Sequence, residues 1–445
     1  MTIISNLVRF SRRQLHTIVS REIIKPSSPT PSHLRTHNLS LLDQIMVSTS
    51  MPIVTFYPNT NHSSHDKTLD LKNSLSQTLT KYYPFAGRFA KAAPTYVDCN
   101  DDGADFLEAS IDTTLSDFLT KSKHEDLDQF FPHGLVNHKS NRQFDDQLDK
   151  VVPLAVQVNH FECGGVAVAV SLSHKIADAA SLAHFVNDWA KMTRLCSSEK
   201  QHEFSDDPQF IQFQHVNSNS TEFVYERPDD CVTRSFIFPK LKIDELKLKV
   251  KTMTEESAEP ITIPSRVDVL TWLLYKSAVT AFTENNPGSC KPTGVAQLVN
   301  VRSKMMEKLP EKSIGNFVTH MEIQTKNGSE IRPESIIGEL KKQITQFKAV
   351  RNIEAVFGII SNVDFEEVKR RDVNLYVCSS MCGYDAYGID FGWGKPMKTT
   401  IAGDLGKNSF LLMDVPGMDG IEVIACLRKH DMAIFESDPE LLAFT

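Results

Sequence analysis

Val166-Ala167-Val168-Ala169-Val170-Ser171-Leu172-Ser173-His174-Lys175-Ile176-Ala177-Asp178 is the stretch that sets the fold class of this chain. Up to Ser173 large apolar residues alternate with small or polar ones, the period of a strand with two different faces. Beyond Asp178 the period changes, and Leu182, Phe185, Val186, Trp189 and Met192 recur at helical spacing. Asp178 is of a residue type that caps helix N-termini. His174 therefore stands at a strand-to-helix corner, where a side chain can reach a cleft. Upstream, Pro153 to His160 alternates with Leu154, Val156 and Val158 on one face, and Cys163-Gly164-Gly165 turns the chain. The two runs predict an antiparallel pair of strands.

Working outward, the chain keeps mixing strands and helices. Ile53-Val54-Thr55-Phe56-Tyr57 is β-branched and aromatic and stops at Pro58; Leu71, Leu75 and Leu79 mark an amphipathic helix ended by Pro84. Tyr96-Cys99 and Asp105-Ala109 flank Asn100-Asp101-Asp102-Gly103, which predicts a hairpin. Residues 197–228 are polar and aperiodic, the composition of a linker. Helices are expected over 243–250 and 266–282, and strands at 235–238, 295–301, 374–380, 410–413 and 421–425. The expected partition is a tail or targeting-like extension at 1–20, a domain at 21–200 holding His174, a crossover linker at 201–230 and a second domain at 231–445. Strands interspersed with helices and hairpins predict an α/β fold with mixed sheets and flanking helices.

The chain has 445 residues, 48 basic against 56 acidic, and a net charge of −8. It carries neither the basic excess nor the basic stripe of a nucleic-acid binder, so no nucleic-acid partner is expected. No apolar run approaches the roughly 20 residues needed to cross a bilayer, so no membrane role is expected. The 8 cysteines form no C-x-x-C pair and no metal-ligand array, which predicts reduced thiols, no metal and a cytoplasmic protein. One feature points elsewhere: Met1 to Ser20 holds Arg9, Arg12 and Arg13, several serines and no acid, the composition of a mitochondrial transit peptide.

His174 suits proton abstraction near neutral pH. Asp178, four residues on, either shares a helix face with it or caps the helix and leaves the histidine in the loop. The bland alternative is a loop histidine bonded to backbone, since the chain holds 15 histidines. There is no G-x-S-x-G elbow, no phosphate-cradling glycine loop and no H-E-x-x-H pair. Asp390-Phe391-Gly392 lacks the companion H-R-D and glycine-rich loops of a kinase. Two glycines, Gly392 and Gly394, surround Trp393, which suits a packing turn or, alternatively, a wall of the active site.

Taken together, His174-Lys175-Ile176-Ala177-Asp178 and Asp390-Phe391-Gly392-Trp393-Gly394, about 210 residues apart, resemble the paired H-x-x-x-D and D-F-G-W-G motifs of the plant BAHD acyltransferase family. Ile24-Lys25-Pro26-Ser27-Ser28-Pro29-Thr30-Pro31, Leu41-Leu42-Asp43-Gln44, Tyr83-Pro84-Phe85-Ala86-Gly87-Arg88 and Phe161-Glu162-Cys163-Gly164-Gly165 are similar to it too. The nearest subgroup includes vinorine synthase, salutaridinol acetyltransferase and the acylsugar acyltransferases. The resemblance implies two similar-sized domains like chloramphenicol acetyltransferase, with a channel between them, and a segment near 388–410 that crosses back to the N-terminal domain. It implies a monomeric acyl-CoA-dependent O-acyltransferase of plant specialised metabolism, acting on an acylated sugar or alkaloid alcohol. Acyl-CoA would be a co-substrate, with no permanently bound cofactor and no metal. His174 would be the general base, in a direct ternary-complex transfer. Asp178 would be a structural brace paired with Arg302, and Asp390, Gly392 and Gly394 would shape a turn. Trp393 is implied as an oxyanion or wall residue, and Ser265 and Arg266 as neighbours of the CoA phosphates. The alternatives are an N-acyltransferase on an amine and a catalytically silent binding protein. Two departures stand out: Ala179 where most of the family has glycine, and Met381-Cys382-Gly383 where the subgroup has Trp-Cys-Arg.

Overall fold

The structure, a computed structural model, describes residues 16–60, 63–89, 95–132, 152–196, 207–213, 230–258, 260–325, 331–363, 370–403 and 405–445. The strands are β1 His16–Ile24, β2 Thr36–Asn38, β3 Ser50–Tyr57, β4 Arg88–Phe89, β5 Tyr96–Asp98, β6 Ala104–Ile111, β7 Leu154–Phe161, β8 Val166–Ser173, β9 Gln209–Phe210, β10 Cys231–Pro239, β11 Thr293–Asn300, β12 Ser313–Ile314, β13 Val318–Thr325, β14 Asn374–Ser380, β15 Lys398–Ile401, β16 Ser409–Asp414 and β17 Gly420–Arg428. The principal helices are α1 Leu41–Ile45, α2 Ser64–Lys81, α3 Leu115–Lys121, α4 Ala179–Cys196, α5 Lys240–Thr254, α6 Arg266–Asn285, α7 Pro333–Phe347 and α8 Ile353–Ser361.

The alternation of Val166–Ser173 buries both faces of β8, whose eight residues are all inaccessible. Val166, Val168, Val170 and Leu172 pack with Leu71, Leu75 and Leu79 of α2 and Phe185 and Trp189 of α4. On the opposite face Ala167 and Ala169 are small enough to admit Phe56, Phe118, Phe130 and Phe161. The Phe118 and Phe130 rings cross edge-on with centroids 4.8 Å apart, a favourable aromatic geometry. In neighbouring β7 the polar residues do not face water. Gln157 and Asn159 are buried, and their amides bond each other and the carbonyls of Gln129 and Phe130.

β8 sits inside a six-stranded sheet of order β1-β6-β7-β8-β3-β15. It pairs antiparallel with β7 across the expected turn, and with β3 on its other side. Late in the chain β15 adds itself antiparallel to β3, with Thr399 opposite Thr55. A second six-stranded sheet has the order β10-β17-β16-β14-β11-β13 and mixes parallel with antiparallel pairs. Apolar faces of α5, α6 and α7 cover it through Leu246, Trp272, Leu273 and Leu340. The expected mixed-sheet α/β architecture with flanking helices is what forms.

Several expectations are corrected. Residues 16–20, assigned above to the tail, form the first part of β1 and pair with β6; the targeting-like residues 1–15 lie outside the described residues. Tyr96-Cys99 and Asp105-Ala109 are not a hairpin. β5 pairs with β2 and β4, while β6 lies between β1 and β7. The turn between them is held instead by long-range bonds: the Thr30 hydroxyl donates to Asp101 Oδ1 at 2.5 Å and Gly103 N–H to the Ala86 carbonyl at 2.9 Å. Of the expected linker, residues 207–213 are described, and Phe210 packs among Tyr82, Tyr83 and Phe85; the remainder lies outside the described residues except Asp230. Residues 303–373, whose pattern assigns no element, supply β12, β13, α7 and α8.

Candidate active site

The corner after β8 is held from three sides. His174 N–H donates to the Thr49 carbonyl at 2.8 Å, which fixes the turn against the segment before β3. The imidazole Nδ1 lies 3.1 Å from Asn316 Oδ1. Asn316 in turn donates from Nδ2 to the His174 carbonyl at 2.7 Å and to Asp43 Oδ1 at 2.8 Å. Those two partners are a carbonyl and a carboxylate oxygen that also takes the Asn316 backbone N–H at 2.8 Å. Both can only accept, so the amide orientation is forced and its oxygen faces the imidazole. Nδ1 therefore carries the proton, and Nε2 keeps a free lone pair.

Asp43 reaches this position as the third residue of α1, where the Ser40 backbone and hydroxyl bind its second oxygen at 2.8 and 2.7 Å. Burial raises the Asp43 carboxyl pKa, and its bonds to Ser40 and Asn316 partly offset that. Burial lowers the His174 pKa from its ordinary 6.5; its own backbone, the Asp178 charge, the Asn316 bond and the Ala177 backbone oppose without cancelling it. A neutral imidazole with its lone pair on Nε2 is the state a general base requires.

Asp178 does not touch this array of bonds. It caps α4, with Oδ1 accepting from Ser181 N–H at 2.9 Å. Its carboxylate binds Arg302 with two parallel bonds, Nη1 to Oδ2 at 2.7 Å and Nη2 to Oδ1 at 2.9 Å. Phe317 N–H adds a bond at 3.0 Å. Arg302 also donates from Nε to the Ser313 carbonyl at 3.0 Å and stacks over the Phe317 ring at 4.7 Å. Burial by itself would raise the Asp178 carboxyl, but the guanidinium and the backbone donors hold it below the usual range. The pair thus ties the first turn of α4 to the segment 302–317 of the other sheet's half, as a brace would.

The other sequence-selected residues lie apart. Asp390 Oδ1 accepts the N–H groups of Gly392 and Gly394 at 2.7 and 2.9 Å. Both glycines hold left-handed backbone, φ 98° and 91°, which lets three residues close on one carboxylate. Trp393 packs edge-on to Tyr57 with centroids 5.5 Å apart and lies under Lys67 Nζ at 5.5 Å. No hydrogen bond joins it to the His174 array among the described residues, and its surroundings are those of a core side chain. Ser265 caps α6 in a reciprocal capping box with Asp268, and Arg266 Nη2 pairs with Asp414 Oδ1 at 3.0 Å. Among the described residues no group of three or more His, Cys, Asp or Glu side chains could hold a metal.

Three residues of the site went unassigned from sequence: Asp43, Asn316 and Ser181. Asp43 lies in a stretch already singled out, and Ser40-x-x-Asp43 is a readable capping box. Asn316 carries no local cue, because its partners are 142 and 273 positions away.

Comparison with known proteins agrees with this geometry. The transferase family profile matches residues 16–442. Acylsugar acyltransferase 3 of Solanum lycopersicum is 33% identical over 435 residues, covering 96% of this chain and 97% of the relative. Stemmadenine O-acetyltransferase of Catharanthus roseus is 33% identical over 430 residues, covering 95% and 96%. The crystal structure of vinorine synthase matches with a TM-score of 0.79 and 31% identity, over 97% of this chain and 98% of that one. The chain belongs to the transferase family of plant acyltransferases, the BAHD family, and is an acyl-CoA-dependent acyltransferase.

Proposed function

We propose that the protein esterifies a hydroxyl of a plant specialised metabolite, an acylated sugar or an alkaloid alcohol, with an acyl group from acyl-CoA. The observation that carries the reading is the fixed tautomer of His174, whose Nδ1–H is committed to Asn316 Oδ1 at 3.1 Å. Nε2 then takes the proton of the acceptor hydroxyl as its oxygen bonds to the thioester carbonyl carbon. The carbonyl π pair moves onto oxygen, and collapse of the tetrahedral intermediate breaks the C–S bond. The departing thiolate takes the proton from Nε2, so the enzyme returns unchanged and needs no acyl-enzyme. Asp178 and Arg302 hold the turn and do not relay the proton. The name of one relative, an O-acetyltransferase, supports a hydroxyl acceptor.

In the same reading the two sheets belong to two domains, 21–200 extended by β1 and 231–445, with a crossover near 388–410; the pairing of β15 with β3 supports this. Acyl-CoA enters as a co-substrate, with Ser265 and Arg266 near its phosphates. The enzyme acts as a cytoplasmic monomer, and the absence of any disulfide among its eight cysteines supports a reducing compartment.

A thiol-release assay with several acyl-CoAs and a panel of polyols, partly acylated sugars, alkaloid alcohols and amines tests the reading. His174→Ala is expected to lose about 10²–10⁴-fold in kcat with its thermal unfolding midpoint retained. A His174→Ala enzyme that turned over normally would sink the mechanism. Turnover confined to amines would replace the ester reading by amide formation.

A further inference from the structure

The loop that follows β14 carries a phenol whose proton has no acceptor among the described residues. Tyr384 Oη accepts a hydrogen bond from Asn300 Nδ2 at 3.2 Å. The direction of that bond is fixed, because Asn300 Oδ1 is occupied by two N–H donors of Arg302, the backbone at 3.1 Å and Nη1 at 3.2 Å. The Asn300 amide must then present its NH₂ to the phenol. Among the described residues no acceptor takes the Tyr384 proton. Other buried tyrosines differ: Tyr57 donates to the Ile389 carbonyl, Tyr82 to Asp188 and Tyr376 to the Ala278 carbonyl.

Three further observations tie this spare donor to the elements around His174. Asn300 continues into Arg302, which grips Asp178 four residues from His174. The loop itself is tied at Gly383, whose N–H donates to Asp414 Oδ2 at 2.6 Å, while the other Asp414 oxygen pairs with Arg266. Tyr384 is thus linked through Asn300 and Arg302 to Asp178, and through its neighbour Gly383 and Asp414 to the N-terminus of α6. Its ring packs at the edge of the same core as Ile176 and Ala177 of that turn. Half-buried, with its pKa raised first by burial and also by the Asp178 charge, Tyr384 stays a neutral donor through the neutral range.

We propose that Tyr384 is a catalytic residue of this chain, donating its hydrogen bond to the thioester carbonyl oxygen as that oxygen becomes the oxyanion of the tetrahedral intermediate. The phenol keeps its proton throughout; it shares it with the oxygen while the C–O bond to the acceptor forms and releases it when the C–S bond breaks. A donor aimed at developing charge stabilises the transition state more than the ground state.

The inference rests on the acyl-transfer reading above, and the test separates the two. Tyr384→Phe keeps the ring and removes only the donor. With acetyl-CoA and an acceptor turned over by the native enzyme, the variant is expected to lose about 10²-fold in kcat with both KM values and the unfolding midpoint unchanged. A trifluoromethyl ketone analogue of acetyl-CoA, whose carbonyl adds the acceptor hydroxyl with its proton passing to His174 to give a tetrahedral oxyanion, is expected to lose affinity by a comparable factor while CoA itself binds as before. Native kcat in Tyr384→Phe beside an inactive His174→Ala would overturn the Tyr384 assignment and leave the general base standing. A change confined to the acceptor KM would overturn it also. Normal turnover in His174→Ala would remove the underlying reading first.

Discussion

The two motifs that identify this family are built in opposite ways. At Asp390 a carboxylate is satisfied by residues two and four positions away, Gly392 and Gly394. At Asp178 the carboxylate takes local bonds from Ser181, but its remaining partners, Arg302 and Phe317, are 124 and 139 positions away. One motif is a self-contained turn packed on aromatic rings; the other exists only when distant parts of the chain have met. A loss at the first should remain local, whereas a loss at the second should be felt by both sheets.

The largest expected effect breaks that second motif. Arg302→Met leaves Asp178 as an uncompensated buried charge and should cost about 3–5 kcal/mol in denaturant unfolding. Asp178→Ala paired with Arg302→Met should recover part of that loss, since a missing pair is cheaper than half of one. Asp390→Ala should cost less, about 1–2 kcal/mol, by removing an acceptor for two backbone donors at a partly exposed turn. A loss there equal to that of Arg302→Met would erase the contrast between the two motifs. The smallest effect is a displaced pH profile. Because burial lowers the His174 pKa, the acid limb of kcat/KM should have its midpoint below the ordinary 6.5. Between those two values the unfolded chain binds a proton that the folded imidazole refuses, so stability rises with pH across that window. An acid limb centred above 6.5 would mean that the imidazole is held charged instead.

The same contrast explains what the sequence made legible. β8, its turn from β7 and the capped start of α4 are encoded by neighbours in the chain, and alternation, glycine and an N-cap residue reveal them. The D-F-G-W-G turn is likewise local. Asn316 and Asp43 orient the His174 imidazole, yet neither lies within a periodicity window of His174, so no pattern along the chain could join them. The hairpin expected at Asn100–Gly103 failed for a related reason. Its turn residues are genuine, but Thr30 and Ala86 claim the turn and send the flanking strands to different sheets. The resemblance implies an oxyanion or wall role for Trp393; in the structure its ring packs against Tyr57 and Phe391 beneath Lys67.

The strand β15 has a consequence for how the protein is made. Residues 398–401 complete the sheet that begins at residue 16. A nascent chain leaving the ribosome cannot close that sheet until nine-tenths of its 445 residues have been synthesised. Until then the edge of β3 is an unpaired ladder, open to another chain. Such long-range closure is slow and exposes aggregation-prone surface. The first 200 residues expressed alone should therefore be poorly soluble, and adding residues 388–410 as a separate peptide should improve their recovery.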